Sequence, residues 1–277
     1  MCRLFGMISN EPLSAEWYLV EAECSLLQQS RADPERLQGD GWGIGYYVDG
    51  ASCAVRSEKP IYVEVDRYKS VALNTRSKII LAHIRKASNP RGLPSEKLLS
   101  IENSQPFFFR NILFVHNGTI NIPDEASELL GNYKGMIKGV NDSEIYFWFL
   151  VKSIDDGESV EAALIGFEDA LQKLWRDCFQ SHPKKRRPYV GLNAIFSDGE
   201  KLYAYCRYSE EDGDSPSICL RDQPVFQMCF LPGNPLVVAS EKMTKSDEWI
   251  PLKSGQLLTS WAKGTKVEHR VEMISRV

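Results

Sequence analysis

The sequence predicts an α+β fold built on mostly antiparallel sheets, and three observations support this. Short apolar runs typical of buried strands lie toward both ends of the 277-residue chain. Turn residues join several of these runs over a few positions, which favours hairpins and therefore antiparallel pairing. The middle of the chain instead repeats its apolar residues with a helical period. These patterns alone leave open both a four-layer α/β/β/α sandwich and a two-layer α+β fold.

The first part of the chain alternates between strands and one helix. The apolar run 2–9 ends at Asn-Glu-Pro and predicts a buried strand. Ser14 can cap a helix over about 14–29. The runs 41–48 and 51–56 flank Asp49-Gly50, a pair typical of the primed turns that close two-residue hairpins. Further strands are expected at 79–84, 107–109 and 112–116, the last two as a second hairpin.

Two helices follow, and then the pattern returns to strands. Asp142 can cap a helix over about 142–152. The segment 158–179 places its apolar residues at near-ideal helical spacing, as expected for a helix that packs on a core. The remaining predicted strands are short and cover residues 190–196, 202–208, 217–220, 225–230, 236–239, 256–261 and 266–271.

The composition is that of an ordinary globular chain, with one domain expected over residues 1–277. Hydrophobic residues make up 43% and charged residues 25%, and the formal net charge is −4. This balance gives no general attraction to nucleic acid or to an anionic membrane. No apolar stretch reaches the ~18 residues of a membrane span. The one dense basic run, 184–187, lies between prolines, which favours a solvated loop over a phosphate-binding patch.

Seven cysteines are present, without a Cys-x-x-Cys pair and without a histidine at zinc-finger spacing. That pattern argues against a disulfide framework and against a structural zinc site, so no metal site is predicted. A reducing compartment fits these cysteines best, and we therefore expect a cytoplasmic protein.

Cys2 is the most informative of the cysteines. Aminopeptidases remove an initiator methionine when the next side chain is small, and the mature chain would then begin with a thiol beside a free α-amine. The pKa of such an amine is ~8 and that of a thiol ~8.5, so the amine can serve as general base for its own side chain. The alternative is a buried strand cysteine, the more common role of a free cysteine.

The triplet His116-Asn117-Gly118 has two interpretations. Asn-Gly is a strong signal for a two-residue hairpin turn, yet the residues that follow do not form a clean return strand. In the second interpretation, the Asn117 amide and the Gly118 N–H form an oxyanion hole, because glycine lets the backbone approach a substrate closely.

Two charged residues complete the candidates. Arg85 ends an apolar strand, and an arginine can hold a planar carboxylate through two parallel hydrogen bonds. Asp142 stands where a helix is predicted to begin, so its carboxylate can cap the helix and can also hold a substrate ammonium. Taken singly, each residue has an ordinary structural explanation.

In their order along the chain, these segments resemble the class II glutamine amidotransferases, which are N-terminal-nucleophile hydrolases. Each motif alone is a weak signal, whereas six in the family order, with a late segment at 238–241 and 255–258 that resembles the closing strands of the family, span nearly the whole chain. The matching segments are Met1-Cys2-Arg3-Leu4-Phe5-Gly6, Gly39-Asp40-Gly41-Trp42-Gly43, Ala82-His83-Ile84-Arg85, Asn103-Ser104-Gln105-Pro106-Phe107, Phe114-Val115-His116-Asn117-Gly118 and Asn141-Asp142-Ser143-Glu144.

The resemblance implies the four-layer αββα sandwich of these hydrolases and a catalytic role for three residues. Cys2 would attack the γ-carbonyl carbon of a glutamyl group and form a thioester, with its own amine moving the protons. Asn117 and the Gly118 N–H would stabilise the oxyanion of the tetrahedral intermediate.

The resemblance also implies how the substrate is held. Arg85 would bind the α-carboxylate of the glutamyl group, with Ser88 as a weaker candidate beside it. Asp142 would bind the α-ammonium. No metal and no organic cofactor is implied.

Three functions remain open at this stage. No synthase segment accompanies the glutaminase-like part, so the expected reaction is hydrolysis of glutamine or another γ-glutamyl compound, alone or with a peptidase partner subunit. The chain could instead deliver ammonia to a separate synthase subunit. The third function is a catalytically silent glutamine-binding module, which the presence of Cys2 and of every polar site residue disfavours.

Overall fold

Two sheets form the centre of the computed structural model, which describes residues 1–209 and 215–275. Their strands are β1 (Arg3–Leu13), β2 (Trp42–Val48), β3 (Ala51–Ser57), β4 (Ser77–Ile84), β5 (Phe107–Phe109), β6 (Ile112–Ile120), β7 (Tyr189–Ser197), β8 (Lys201–Cys206), β9 (Cys229–Leu231), β10 (Leu236–Ala239), β11 (Ile250–Pro251), β12 (Gln256–Lys263) and β13 (Lys266–Met273). The first sheet has the order β11-β9-β10-β1-β4-β2-β3 and the second β13-β12-β8-β7-β6-β5. The described strand pairs are antiparallel, as the hairpin signals predict.

The two sheets share an apolar core to which both contribute alternate residues. Leu4 of β1 and Val115 of β6 belong to this core between the sheets. Their neighbours Phe5 and Phe114 belong instead to the two outer cores. Because successive side chains point to opposite faces of a strand, β1 and β6 are buried on both sides.

Helices cover the outer face of each sheet. The helices of the chain are α1 (Leu26–Gln29), α2 (Val65–Asn74), α3 (Ser95–Leu98), α4 (Pro123–Ser127), α5 (Asp142–Asp155) and α6 (Val160–Cys178), with shorter 3-10 or π-helical segments between some of them. Tyr68 of α2 packs on the first sheet, whereas Tyr146 of α5 and Phe167 of α6 pack on the second. The four layers confirm the αββα sandwich. In the described part of the chain, no helix has the length and apolar content needed to cross a membrane.

The helix predicted over 14–29 is wrong as a continuous element. A single π-helical turn, Trp17–Glu21, ends where Ala22 takes an extended conformation (ψ 150°). The Ser25 side chain then caps α1 by accepting from the Gln28 N–H, and the N–H of Cys24 donates to the Met243 carbonyl. Tertiary and capping hydrogen bonds therefore replace the helical ones.

Two predicted strands in the second half also differ. No strand forms at 217–220, because the backbone N–H groups of Ile218, Cys219 and Leu220 donate to the Glu241 carboxylate. Of the segment 225–230, only its last two residues enter β9. The helix α2 was not predicted. Asn141, not Asp142, caps α5, with its side chain accepting from the Ser143 N–H.

The Asn117-Gly118 pair does not form a hairpin turn. Strand β6 continues through both residues to Ile120 and pairs with β7 along this length. The Asp49-Gly50 hairpin is confirmed, with positive φ angles of 50° and 81° at its two turn residues. The hairpin interpretation is thus correct for Asp49-Gly50 and wrong for Asn117-Gly118.

Candidate active site

A cavity of about 260 Å³ lies where the start of β1 meets β6 and β7. Cys2, Ser88 and Gly118 of the predicted site line it. Larger cavities of about 360 to 410 Å³ lie elsewhere, and no cysteine among the described residues lines these three. Of these cavities, the smaller one has the candidate nucleophile in its wall. Its wall also includes Met1, Lys86, Ala87, Thr119, Val190 and Phe226.

Cys2 is half-buried at this cavity and is held by the backbone that follows β4. The Lys86 N–H donates to Cys2 Sγ at 3.4 Å, and the Lys86 carbonyl lies at the same distance from the sulfur. The Met1 side chain remains 37% exposed, whereas its amine is largely buried. Burial lowers the pKa of the Met1 amine, and the positive charges of Arg3 and Lys86 act in the same direction.

Arg3 fixes the position of Cys2 from behind. Its Nε donates to the Cys2 carbonyl at 2.6 Å, and Nη1 and Nη2 both lie 3.2 Å from the Val225 carbonyl. The side chain is fully buried. Burial lowers the pKa of this guanidinium, and the nearby charge of Glu241 opposes that effect. Arg3 was not among the residues predicted from the sequence, since the Val225 carbonyl lies more than two hundred positions away.

The Asn117 side chain is buried beside Gly118 and is unusual in its hydrogen bonding. It is 1% exposed, and neither its Nδ2 nor its Oδ1 has a partner among the described residues. A buried amide without partners is costly. Such an amide has its donors free for a ligand, as an oxyanion hole requires.

A β-bulge next to Gly118 shapes this corner. The register of β6 and β7 shifts between Gly118 and Thr119, which leaves Gly191 of β7 without an opposite residue. Gly191 has a φ of 71°, a left-handed conformation that favours glycine. A Cβ at Gly118 would clash with the Gly191 carbonyl oxygen. Both glycines are thus required by the backbone, and Gly191 was not predicted from the sequence.

The residue before Asn117 is held from two sides. The Gln105 amide pairs with the backbone of His116, its Oε1 accepting at 2.6 Å and its Nε2 donating at 3.4 Å. On the ring side, His116 Nδ1 lies 2.8 Å from Ser143 Oγ. Burial lowers the pKa of His116 to about 4, so the ring is neutral. Gly43 permits this arrangement, because a Cβ there would clash with the Gln105 carbonyl.

The two predicted charged residues lie just behind the cavity wall. The Nη1 of Arg85 donates to the carbonyls of Asp40 and Leu98, at 3.2 and 2.7 Å. Arg85 is buried, and burial lowers the pKa of its guanidinium. Asp142 is the first residue of α5, and its carboxylate accepts from Ser88 Oγ at 3.0 Å and from the Ile120 N–H at 2.6 Å. Burial raises the pKa of Asp142.

The structure therefore brings the predicted residues to one place. Cys2, Ser88 and Gly118 line the cavity. The other three do not line the cavity, but each adjoins a residue that does. Asn117 precedes Gly118, Arg85 precedes Lys86, and Asp142 is hydrogen-bonded to Ser88.

Groups that could ligate a metal lie elsewhere in the described part of the chain. One consists of Cys24, Cys219 and Glu241, and the other of Glu125, Cys178 and His182. Neither group includes a residue of the cavity wall.

The four layers are those of the N-terminal-nucleophile hydrolase fold, which similar solved structures share. The family model described as "Glutamine amidotransferases class-II" matches residues 1–276. The chain belongs to this family of enzymes.

Several known proteins are similar to the chain. A probable glutamine amidotransferase of Saccharomyces cerevisiae is 24% identical over 288 residues, which cover 100% of this chain and 73% of the yeast protein. The γ-glutamyl-hercynylcysteine sulfoxide hydrolase of Mycolicibacterium smegmatis is 32% identical over 126 residues, which cover 44% of this chain and 52% of the hydrolase. A solved structure of a glutamine aminotransferase class-II domain protein from Silicibacter pomeroyi superposes with a TM-score of 0.60 at 20% identity, covering 97% of this chain and 98% of that one.

Proposed function

We propose that the chain hydrolyses the γ-glutamyl amide bond of glutamine or of a related γ-glutamyl compound through a thioester on Cys2. The observation that carries this proposal is a half-buried thiol at a cavity that Gly118 also lines, with the buried and unpartnered amide of Asn117 on the preceding residue. A γ-glutamyl hydrolase among the similar proteins supports the same class of reaction.

The first half of the reaction begins once Met1 is removed. The freed α-amine of Cys2 takes the Sγ proton, and the thiolate attacks the γ-carbonyl carbon. The Asn117 Nδ2–H and the Gly118 N–H donate to the oxyanion that develops on the carbonyl oxygen. When the intermediate collapses, the protonated amine gives its proton to the leaving nitrogen, and a thioester remains on Cys2.

Water completes the reaction. The α-amine, again neutral, takes a proton from the water as it attacks the thioester carbonyl. The same two donors stabilise the second oxyanion, and the thiol leaves with the proton that the amine returns. The products are glutamate, the amine released earlier and a regenerated Cys2.

The charged residues behind the wall would hold the glutamyl end of the substrate. Among the described residues, the hydrogen bonds of the Arg85 guanidinium use only Nη1, so its other two nitrogens can donate to an α-carboxylate. The Asp142 carboxylate, with Ser88 beside it, is placed to accept from an α-ammonium. A bound ammonium would also favour the charged carboxylate, whose pKa burial otherwise raises.

The test compares the full chain with two cysteine variants. Intact mass first establishes whether Met1 is gone, and glutamate release is then measured with glutamine and with several γ-glutamyl amides. We expect turnover by the processed protein and none by Cys2→Ala. Cys53→Ala is the matched control, because Cys53 is also half-buried but lies in β3, away from the cavity wall.

Two outcomes would count against the proposal. Full turnover by Cys2→Ala would exclude the thioester on Cys2. Glutamate release that appears only when a synthase subunit is added would favour the alternative in which the chain delivers ammonia to that partner.

A further inference from the structure

A second thiol site lies outside the cavity and joins distant parts of the chain. The Sγ atoms of Cys24 and Cys219 and a carboxylate oxygen of Glu241 all lie within 4.8 Å of one another. Cys24 is buried between the π-helical turn and α1, whereas Cys219 is half-buried in the segment before β9. Neither thiol takes part in the proposed hydrolysis.

The backbone around β10 sets the distance between these cysteines. The Cys24 N–H donates to the Met243 carbonyl at 2.9 Å. The Cys219 N–H donates to Glu241 Oε1 at 2.7 Å. Because Glu241 and Met243 are two residues apart, the same short stretch anchors both cysteines. The closeness of the two sulfurs therefore follows from anchored backbone on both sides.

The chemistry of this cluster favours a pair of thiols over a metal site. The Glu241 carboxylate already accepts from the N–H groups of Ile218, Cys219 and Leu220, two of them on Oε1. Its charge is opposed by the fully buried Arg3 nearby. A divalent cation bound here would have to displace both thiol protons and the hydrogen bonds that the carboxylate already accepts, including the one from the Cys24 thiol.

We propose that Cys24 and Cys219 form a reversible disulfide by exchange with a small disulfide compound. In the first step the Cys219 thiolate attacks one sulfur of the compound, and the other sulfur leaves as a thiolate. In the second step the Cys24 thiolate, its proton having passed to that leaving group, attacks the Cys219 sulfur and releases the second small thiol. Two protein thiols are oxidised and one small disulfide is reduced to two thiols.

The order of attack follows from the surroundings of the two sulfurs. Cys219 is the more exposed of the two, and the neighbouring Cys24 thiol lowers its pKa. Cys24 is buried and its thiol donates to Glu241 Oε1 at 3.8 Å, while the neighbouring Cys219 and burial raise its pKa. An accessible thiol of lowered pKa reacts first, and its buried neighbour resolves the mixed disulfide.

The bond would fix a segment that reaches the active site. Cys219 lies six residues before Val225, whose carbonyl accepts from Arg3 and so from the residue that holds Cys2. Phe226, the next residue, lines the cavity. A covalent link to Cys24 therefore restrains the part of the chain that forms one wall of the site.

The experiment uses the full chain with Cys2→Ala, which removes the reactive active-site thiol. The protein is treated with bis(2-hydroxyethyl) disulfide, which carries no γ-glutamyl group and so cannot serve as a substrate. We expect a peptide pair that links Cys24 to Cys219, lighter by two hydrogen atoms than the reduced pair and restored by dithiothreitol. Amide hydrogen exchange in peptides that cover 215–228 should slow in the oxidised protein.

Two further variants in the same background test the assignment. With Cys24→Ser, Cys219 should keep the hydroxyethyl adduct because no thiol can resolve it. Cys53→Ser, the matched control, should form the disulfide like the parent. A stable adduct on Cys219 while Cys24 is intact would overturn the proposal. So would stoichiometric zinc in the purified protein that is lost with Cys24→Ser.

Discussion

Asn117 of β6 and Asn193 of β7 are directly opposite each other in the sheet register, yet only one of them uses its side-chain amide. Asn193 Nδ2 donates to the Phe226 carbonyl at 2.6 Å, and its Oδ1 accepts from the Arg207 N–H at 2.7 Å. Asn117, equally buried, has no such partner in residues 1–209 and 215–275. The Asn193 amide thus joins two backbone segments, whereas the Asn117 amide makes no hydrogen bond to the described residues. A buried amide without a partner is expected where a ligand binds.

The pair gives a direct test of the oxyanion hole. Asn117→Ala should lower kcat by ~10²–10³, since one donor to the oxyanion is lost. It should not lower the free energy of unfolding, because no hydrogen bond in the fold is broken. Kinetics with glutamine or a γ-glutamyl amide and urea unfolding measure the two effects.

Asn193→Ala is the control for that experiment. It leaves the Arg207 N–H and the Phe226 carbonyl without their partner. The free energy of unfolding should fall by about 1–3 kcal/mol for each buried group left unpaired. Equal stability losses in the two variants would mean that Asn117 has a structural partner after all.

Gly118 should tolerate no side chain. An added methyl group would collide with the Gly191 carbonyl, so Gly118→Ala should push β6 and β7 apart and abolish turnover together with stability. Gly166→Ala is the matched change, since a Cβ there meets nothing within 4 Å and the residue lies inside α6. That helix should gain about 0.5–1 kcal/mol from the better helix former. Thermal unfolding of both variants, with turnover alongside, checks the contrast.

Arg3 should act on catalysis by positioning Cys2. Arg3→Lys keeps the buried charge but cannot span the Cys2 and Val225 carbonyls, so we expect kcat to fall while KM changes little. Arg3→Met leaves the buried Glu241 without its nearby positive charge and should cost about 3–5 kcal/mol of stability. A rise in KM with an unchanged kcat would instead show that Arg3 affects substrate capture.

The pH dependence of kcat/KM separates these two variants further. Burial, assisted by Arg3 and Lys86, lowers the pKa of the present N-terminal amine, and the amine of processed Cys2 would lie even closer to Arg3. We expect the acid limb of the profile to have its midpoint below the ~8 of an ordinary α-amine. The midpoint should stay in place with Arg3→Lys and rise with Arg3→Met. An unchanged midpoint in Arg3→Met would show that the charge of Arg3 does not lower the pKa of the amine.

Local patterns were enough to predict much of the fold. The Asp49-Gly50 hairpin depends on two adjacent residues, and α6 on apolar residues spaced within one segment, so both were visible in the sequence. The prediction of a helix over 14–29 was wrong because the hydrogen bond from Cys24 to Met243 joins positions far apart in the chain. The strand predicted at 217–220 does not form for the same reason, since its backbone N–H groups donate to the Glu241 carboxylate.

The residues of the candidate site likewise divide into those with a local signal in the sequence and those that depend on distant contacts. Cys2, Asn117 and Gly118 have side chains or backbone groups suited to acyl chemistry, so their residue types were enough to predict them. Arg3 and Gly191 are supporting residues whose importance depends on contacts with distant strands. A buried arginine next to the candidate nucleophile and a glycine in a bulge have no local signature in the sequence.

His116 should make stability depend on pH in a defined window. Burial lowers its pKa to about 4 in the folded protein, below the value of about 6.5 in an unfolded chain, so the unfolded state binds the proton more tightly. The contribution of neutral His116 to the free energy of unfolding is complete above about pH 6.5 and is lost as the pH falls toward 4. At about pH 5 the loss amounts to about 2 kcal/mol. Urea unfolding of wild type and His116→Gln at about pH 7.5 and 5 measures this directly. The variant should lose less stability on acidification than wild type, although His83, also buried with a lowered pKa, still contributes. An identical pH dependence in the two proteins would show that His116 is not the neutral, buried group described above.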